Sequence, residues 1–279
     1  PTEEELSKIS PIIEIPEHML SSLKDVDEIS DIEKDDGMLF IIARTPQKNT
    51  DDSEVEYSTI PLGIIILDNH LITICFKEND VISQLKSRKV NTLKKIKTTL
   101  IILLISAKRY LVYLNEINKK LHLLQEGLKN VARNEDILHL SNIQKSLVYF
   151  STSLKSNQFL IERLTKTKVF TKFEHDLELL DEMIEENKQA IEMTNIYTNI
   201  TSNMTHTFSS VISNNLSNVM KLLTSITLIL MLPTLISSIY GMNISLPFQN
   251  SSQAFSITMG LSIVLSLIGV LILWRKKLF

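Results

Sequence analysis

The chain has 279 residues, with 29 Lys and Arg against 32 Asp and Glu and a formal net charge of -3. No basic stripe interleaved with aromatics appears, so nucleic acid is not an expected partner, and the single cysteine, Cys75, removes disulfides and suits a reducing compartment. No glycine-rich phosphate loop, His-Glu-x-x-His pair or paired cysteine motif occurs, which argues against an enzyme, an organic cofactor or a nucleotide-driven pump.

Pro1 is not an initiator methionine and no signal-peptide pattern follows it, so some native N-terminal residues are expected to be missing. Thr2-Glu3-Glu4-Glu5 reads as a helix N-cap with an acidic first turn, and Pro16-Glu17 opens a second short helix. The acidic runs Asp25 to Asp36 and Asp51 to Glu56 read first as solvated faces. Strands are predicted over Met38 to Arg44, Gly63 to Leu67 and Leu71 to Phe76, the last two forming a hairpin turned by Asp68-Asn69-His70. Cys75 lies in that last apolar run and is expected to be a packed strand residue.

From Asn79 to Pro233 the chain has no proline and one glycine, Gly127, a composition that predicts long helices. Leu100 to Ile105 is apolar, but Lys94, Lys95 and Lys97 before it and Lys108 and Arg109 after it leave it too short to span a bilayer. It is expected to be a buried part of a helix outside the membrane. A turn is predicted within Gly127 to Glu135, a returning helix from Asp136 to about Lys166, and a last long helix from about Thr171 to Tyr240. Pro233 does not end it, because proline is tolerated inside membrane helices.

Between Leu222 and Trp274 there is no Asp, Glu, Lys, Arg or His. Two apolar stretches, about 220–240 and 254–274, each reach the ~20 residues that a membrane-crossing helix needs. Lys221 precedes the first, Arg275-Lys276-Lys277 follow the second, and the connection is uncharged, so the positive-inside rule puts both ends in the cytoplasm. Tyr240 and Trp274 stand where aromatic rings favour the headgroup region. The expected location is the inner or plasma membrane of a bacterial cell, crossed twice.

At about 100° per residue, Asn195, Asn199, Ser202, His206, Ser209, Ser213, Ser217, Met220, Thr224, Thr227, Met231, Thr234 and Ser238 fall on one face of the last long helix. Such a small-polar stripe suits close helix packing, since Ser and Thr mediate contacts or bond their own backbone. It also suits a water-filled axis. Its length favours the axis, and two spans can enclose one only if several identical copies gather around it. His206 is open to both readings, as a pore residue that charges near neutral pH or as a packed side chain.

The Tyr240-Gly241-Met242-Asn243 segment, the preceding Val219-Met220-Lys221-x-Leu223-Thr224 and the closing Trp274-Arg275-Lys276-Lys277 together resemble the CorA-type magnesium transporters. The resemblance covers nearly the whole chain. It implies a funnel-shaped homopentamer: an α/β cytoplasmic domain with a helical hairpin (1–170), a stalk helix (171–219) and a two-helix transmembrane region (220–279). Within the last, an outer loop (241–253) follows the first span and a basic tail (275–279) follows the second. It implies passive, membrane-potential-driven Mg2+ uptake, gated by cytoplasmic Mg2+.

Carried across residue by residue, Gly241, Met242 and Asn243 would form the selectivity filter, with Asn243 facing the hydrated ion. His206, Ser213, Ser217, Met220, Leu223, Thr224, Thr227, Met231, Thr234 and Ser238 would line the pore. Asp181 and Glu182 would be regulatory metal ligands, with Glu178, Glu185 and Glu186 on adjoining turns and Asp25, Asp27, Glu28 or Asp35 as partners from the N-terminal domain. A merely solvated acidic face accounts for the same carboxylates. The chain also departs from the family: it has His206, Ser217 and Asn218 where relatives carry acidic residues or an Asn-Glu pair, and no acid from Ile244 to Gln253. A related zinc or cobalt/nickel transporter and a non-conducting membrane scaffold are the alternatives.

Overall fold

The computed structural model describes residues 1–9, 13, 15–35, 37–49, 55–88, 93–127, 134–244, 247 and 252–276. The chain divides into two compact units, Pro1–Phe208 and Ser209–Phe279.

In the first unit, α1 (Glu3–Ile9) starts on a reciprocal cap. The Glu5 N–H donates to the Thr2 hydroxyl at 3.2 Å and the Thr2 N–H to the Glu5 carboxylate at 2.9 Å. Helix α2 (Glu17–Lys24) follows Pro16 as the sequence predicts. Four strands, β1 (Asp31–Asp35), β2 (Met38–Lys48), β3 (Tyr57–Ile66) and β4 (Leu71–Ile74), form an antiparallel meander in sequence order. Gly37 lies between β1 and β2 at φ 81°, a conformation open to glycine at little cost.

Strands β2 and β3 are longer than their predicted cores because both faces are covered. Ile41 pairs with Ile64 and Phe40 with Ile65. Ile41, Ala43, Leu62 and Ile64 join one cluster with Leu100, Ile102 and Leu103, while Phe40, Ile42 and Ile65 join another with Met19 and Leu23 of α2. Gly63 gives α2 its close approach, since a Cβ there would stand 2.5 Å from Leu23 Cδ1. Pro46 and Pro61 fit inside these strands because β1 pairs only as far as Ile42 and β4 only from Gly63 onward, so neither proline faces a third strand.

Strand β1 lies within the acidic run that reads in sequence as solvated. It is an edge strand in which Ile32 is buried and Glu33 and Lys34 are exposed, a place where charge is tolerated and discourages pairing with other chains. The Asp51 to Glu56 run lies mostly outside the described residues. Cys75 falls one residue beyond β4, half-buried, with its thiol donating to the Pro61 carbonyl at 3.4 Å. The strand ends earlier than predicted, and Cys75 packs from a loop.

Helix α3 (Asp80–Ser87) is capped by Asn79, which accepts from the Val81 N–H at 2.8 Å. Helices α4 (Lys95–Gly127) and α5 (Asn134–Lys166) are 33 residues each, and the predicted turn between them falls largely outside the described residues. Leu100 to Ile105 is largely buried, as its short apolar run predicts. Helix α6 (Glu174–Tyr240) runs 67 residues without a break at Pro233 and starts three residues after the predicted Thr171. Its Ala190, Tyr197, Met204 and Phe208 join a cluster with Tyr110, Leu114, Ile117, Leu147 and Phe150 of α4 and α5.

One buried cation ties these layers together. Arg44 on β2 is 6% exposed. Its guanidinium donates to the Thr59 hydroxyl at 2.7 Å, the Ser153 hydroxyl at 3.3 Å, the Glu28 carbonyl at 3.1 Å and the Val26 carbonyl. Its backbone carbonyl accepts from Asn157 at 2.8 Å and from the Tyr110 hydroxyl at 3.1 Å. Burial pushes the guanidinium below its ordinary pKa, against the attraction of the Asp25, Asp27 and Glu28 carboxylates.

The second unit holds the end of α6 and α7 (Ala254–Arg275). Ser225 and Ile236 on α6 and Ser262 on α7 are buried, and a Cβ at Gly269 would stand 3.1 Å from Leu232 Cδ1. Small residues thus bring the two helices close, as they do where no hydrophobic drive acts between helices in lipid.

Candidate functional site

Within the first unit, the buried face of α6 carries Thr194, Tyr197, Thr201, Met204 and Phe208, whereas Asn195, Asn199 and His206 are exposed and Ser202 half-buried. At about 100° per residue the centres of the two sets stand roughly 150° apart. In the second unit, Ser225 and Ile236 are buried, while Ser209, Ser213, Ser217, Met220, Leu223, Thr224, Thr227, Met231, Thr234 and Ser238 are all exposed. In each unit, then, the stripe occupies the side of α6 that a single chain leaves open.

Two of its hydroxyls, on Thr227 and Thr234, are already engaged as donors. Thr227 donates to the Leu223 carbonyl at 2.9 Å, and Thr234 donates to Met231 at 2.8 Å and Leu230 at 3.2 Å. The Thr234 bonds fall beside Pro233, which has no N–H to give to the Ile229 carbonyl. With the protons committed, the oxygen lone pairs are what these side chains present outward.

The helix closes at the motif. The Gly241 N–H donates to the Ser237 carbonyl at 2.9 Å and the Met242 N–H to the Ile239 carbonyl at 3.2 Å. A Cβ on Gly241 would stand 3.2 Å from the Ser237 oxygen and 3.5 Å from the Ser238 oxygen, so glycine permits this tight finish. The Tyr240 hydroxyl donates to the Pro247 carbonyl at 3.4 Å, fastening the following segment to the helix end. Met242 and Asn243 are exposed just beyond it.

On the first turns of α6, Asp181 is exposed and Glu182 half-buried. Glu182 accepts a hydrogen bond from Lys108 of α4, whose ammonium also lies 3.9 Å from Glu186. Lys108 is the partner that sequence reasoning missed; its position at the end of the apolar run of α4 was the available signal. Among the described residues no three His, Cys, Asp or Glu groups converge to hold a metal ion within one chain. Asp25 and Asp27 are exposed and Glu28 half-buried in the turn between α2 and β1, where the Asp25 carboxylate accepts from the Asp27 N–H at 2.8 Å.

Two helices, α6 and α7, are long and apolar enough to cross a membrane, and only 11% and 6% of their most apolar windows is buried within the chain, against the largely buried core helix of a soluble protein. The sequence model of the CorA-like Mg2+ transporter protein matches residues 1–277. The cobalt/magnesium transport protein CorA of Methanocaldococcus jannaschii is 30% identical, over 99% of this chain and 88% of its own. The complete structure of the CorA magnesium transporter from that organism superposes with a TM-score of 0.83 at 29% identity, covering 99% of this chain and 88% of the other. The ZntB cytoplasmic domain of Vibrio parahaemolyticus, at 14% identity and a TM-score of 0.56 over 77% of this chain and 84% of its own, shares the fold alone.

Proposed function

The chain belongs to the CorA-like Mg2+ transporter family, and from that premise we propose that it is a channel for passive, potential-driven Mg2+ uptake, built as a homopentamer with α6 turned inward. The observation that carries this reading is the open, oxygen-bearing face of α6. Two spans per chain cannot enclose a conduit, so a ring of copies must supply the wall.

Mg2+ gives up its water reluctantly, and a hydrated cation presents only O–H donors to its surroundings. Its path therefore needs acceptors. Thr227 and Thr234 meet that need because their own protons are held by the backbone. At the outer end, the Asn243 amide oxygen and the carbonyls of Gly241 and Met242 would ring the hydrated ion without any fixed charge. Met220, Leu223 and Met231 would be apolar constrictions that gate by dewetting. The membrane potential supplies about 2.3 kcal/mol per charge per 100 mV, doubled for a divalent ion.

In this reading both termini lie in the cytoplasm, residues 1–170 form the sensing domain and 171–219 the stalk. Asp181 and Glu182 hold the pore shut when Mg2+ bridges them to carboxylates of a neighbouring copy. Among the described residues no three such ligands converge within one chain, which fits a cation shared between copies. Cobalt is favoured as a second cargo by the name of the Methanocaldococcus relative, a cobalt/magnesium transport protein.

Purified protein in liposomes with a potassium diffusion potential, interior negative, tests the proposal. Mg2+ uptake that grows with the potential is expected, with Co2+, Ni2+ and Zn2+ as comparators. Mg2+ flux no greater than in protein-free liposomes would sink it.

A further inference from the structure

Within the first unit, helices α4, α5 and α6 meet around a small internal cavity lined by Leu103 and Ser106 of α4, Asn157 and Leu160 of α5, and Met183 and Asn187 of α6. All six are buried, and the three polar ones are only 2% (Ser106), 9% (Asn157) and 3% (Asn187) exposed. The space open to the centre of a water-sized sphere is about 10 Å3. On that measure ~10–15 Å3 is enough for one water molecule.

Ser106 gives the cavity its chemistry. Its Oγ is buried and meets no hydrogen-bond partner among the described residues. Earlier on the same helix, Thr98 and Thr99 donate their hydroxyls to the Lys94 and Lys95 carbonyls four residues back, each at 3.0 Å. Ser106 makes no such bond, and a hydroxyl orphaned in an apolar interior is costly. The two amides beside it have capacity to spare. Asn157 Nδ2 gives one of its two protons to the Arg44 carbonyl at 2.8 Å, which leaves the other. Asn187 Nδ2 donates to the Leu154 carbonyl at 3.3 Å, which leaves Oδ1 to accept.

We infer that this cavity binds one structural water, which accepts from Asn157 Nδ2, donates to Asn187 Oδ1 and shares a hydrogen bond with the Ser106 hydroxyl. Three partners is the usual number for a buried water, and cavities that stay empty are apolar. A metal ion is a poor occupant, because the lining offers two neutral oxygens and no carboxylate, whereas Mg2+ and Ca2+ take six or more oxygens. Through this water the polar network around Arg44 extends to α6. The Lys108–Glu182 pair fastens α4 to α6 nearer the surface, and the water fastens the same two helices, with α5, from within. None of these residues belongs to the polar stripe, so the inference stands apart from the pore reading.

Urea unfolding of the full chain in detergent, parent against Ser106→Ala, separates a wet cavity from a dry one. If water satisfies the hydroxyl, the alanine variant loses a hydrogen bond, and its midpoint should fall by roughly 0.3 M or more. If the cavity is dry, the same change removes an orphaned hydroxyl and substitutes a better helix former, so the midpoint would stay or rise, and that result would overturn the inference. A crystal structure of the full chain, at a resolution that shows ordered water, supplies the second measurement. It should show one peak within hydrogen-bond distance of Ser106 Oγ and of both amides. A cavity without that peak would overturn the inference whatever the midpoint.

Discussion

The Lys108 ammonium of α4 sits on the Glu182 carboxylate of α6 and within 3.9 Å of Glu186, so the proposed regulatory carboxylate already has a cation of its own. Both side chains are close to half exposed, 44% and 45%, which leaves the pair worth well under about 1 kcal/mol. A divalent ion can displace so weak a partner. Lys108→Met is therefore expected to raise the apparent Mg2+ affinity for closure, and Asp181→Asn with Glu182→Gln to abolish closure. Protease protection of the first unit, titrated with Mg2+, reads both. Identical protection curves for parent and double variant would leave the acidic face with no part in sensing.

Why Lys108 escaped sequence reasoning, while the apolar spans did not, is a matter of range. Lipid demands a long unbroken apolar run, and the segment from Leu222 to Trp274 meets that demand locally. The common face of Thr224, Thr227 and Met231 likewise follows from helical period alone. The Lys108–Glu182 pair joins residues 74 positions apart and leaves no periodic trace. Strand β1 was hidden for a related reason: at an edge, pairing with β2 holds Asp31 to Asp35 in place without an apolar alternation. Cys75 misled because the apolar run continues past Ile74 into a loop, where packing and not strand pairing half-buries it.

Arg44 shows how a fold can depend on one interior cation. Its guanidinium satisfies the Val26 and Glu28 carbonyls and the Thr59 and Ser153 hydroxyls, joining the turn before β1 to β3 and α5. Arg44→Met keeps much of the volume but strands those groups, at a cost of roughly 2–4 kcal/mol. Arg44→Lys should recover little, because an ammonium lacks the planar fork that reaches all four. Urea unfolding of the full chain in detergent, followed by circular dichroism, measures the shift in midpoint. A lysine variant as stable as the parent would show that charge alone suffices.

Acid should loosen the contact between β2, β3 and α4. Glu116 accepts from Lys48 at 2.8 Å and from the Tyr57 hydroxyl at 2.7 Å. The Lys48 hydrogen bond, outweighing partial burial, holds the Glu116 carboxyl below the ordinary glutamate range. Because the folded value lies below the unfolded one, the stabilisation is full above the unfolded pKa of about 4.3 and fades as pH falls through the folded value. Glu116 remains 36% exposed, so the effect is a fraction of about 1 kcal/mol. Glu116→Gln is expected to lower thermal stability slightly at pH 7 and to converge with the parent in strong acid. A stability difference that stays constant from pH 7 to pH 3 would refute this account.

Asn243 offers the sharpest test of the filter. It is exposed just past the end of α6 and fills no core, so Asn243→Ala should leave folding and assembly intact on a native gel. If its amide oxygen accepts from the ion's water shell, the same change should cut Mg2+ flux at least a hundredfold, since each copy around the ring loses the group together. Met242→Val is expected to reorder Mg2+, Co2+ and Ni2+ without changing the oligomer, because in the proposed filter the neighbouring side chain would shape the ring without holding the ion. Gly241→Ala should act differently again: its methyl would press on the Ser237 carbonyl at 3.2 Å, disturbing the closing turn that presents Asn243. Flux in liposomes with each ion separates the three. Full Mg2+ flux in a correctly assembled Asn243→Ala protein would move the filter away from this motif.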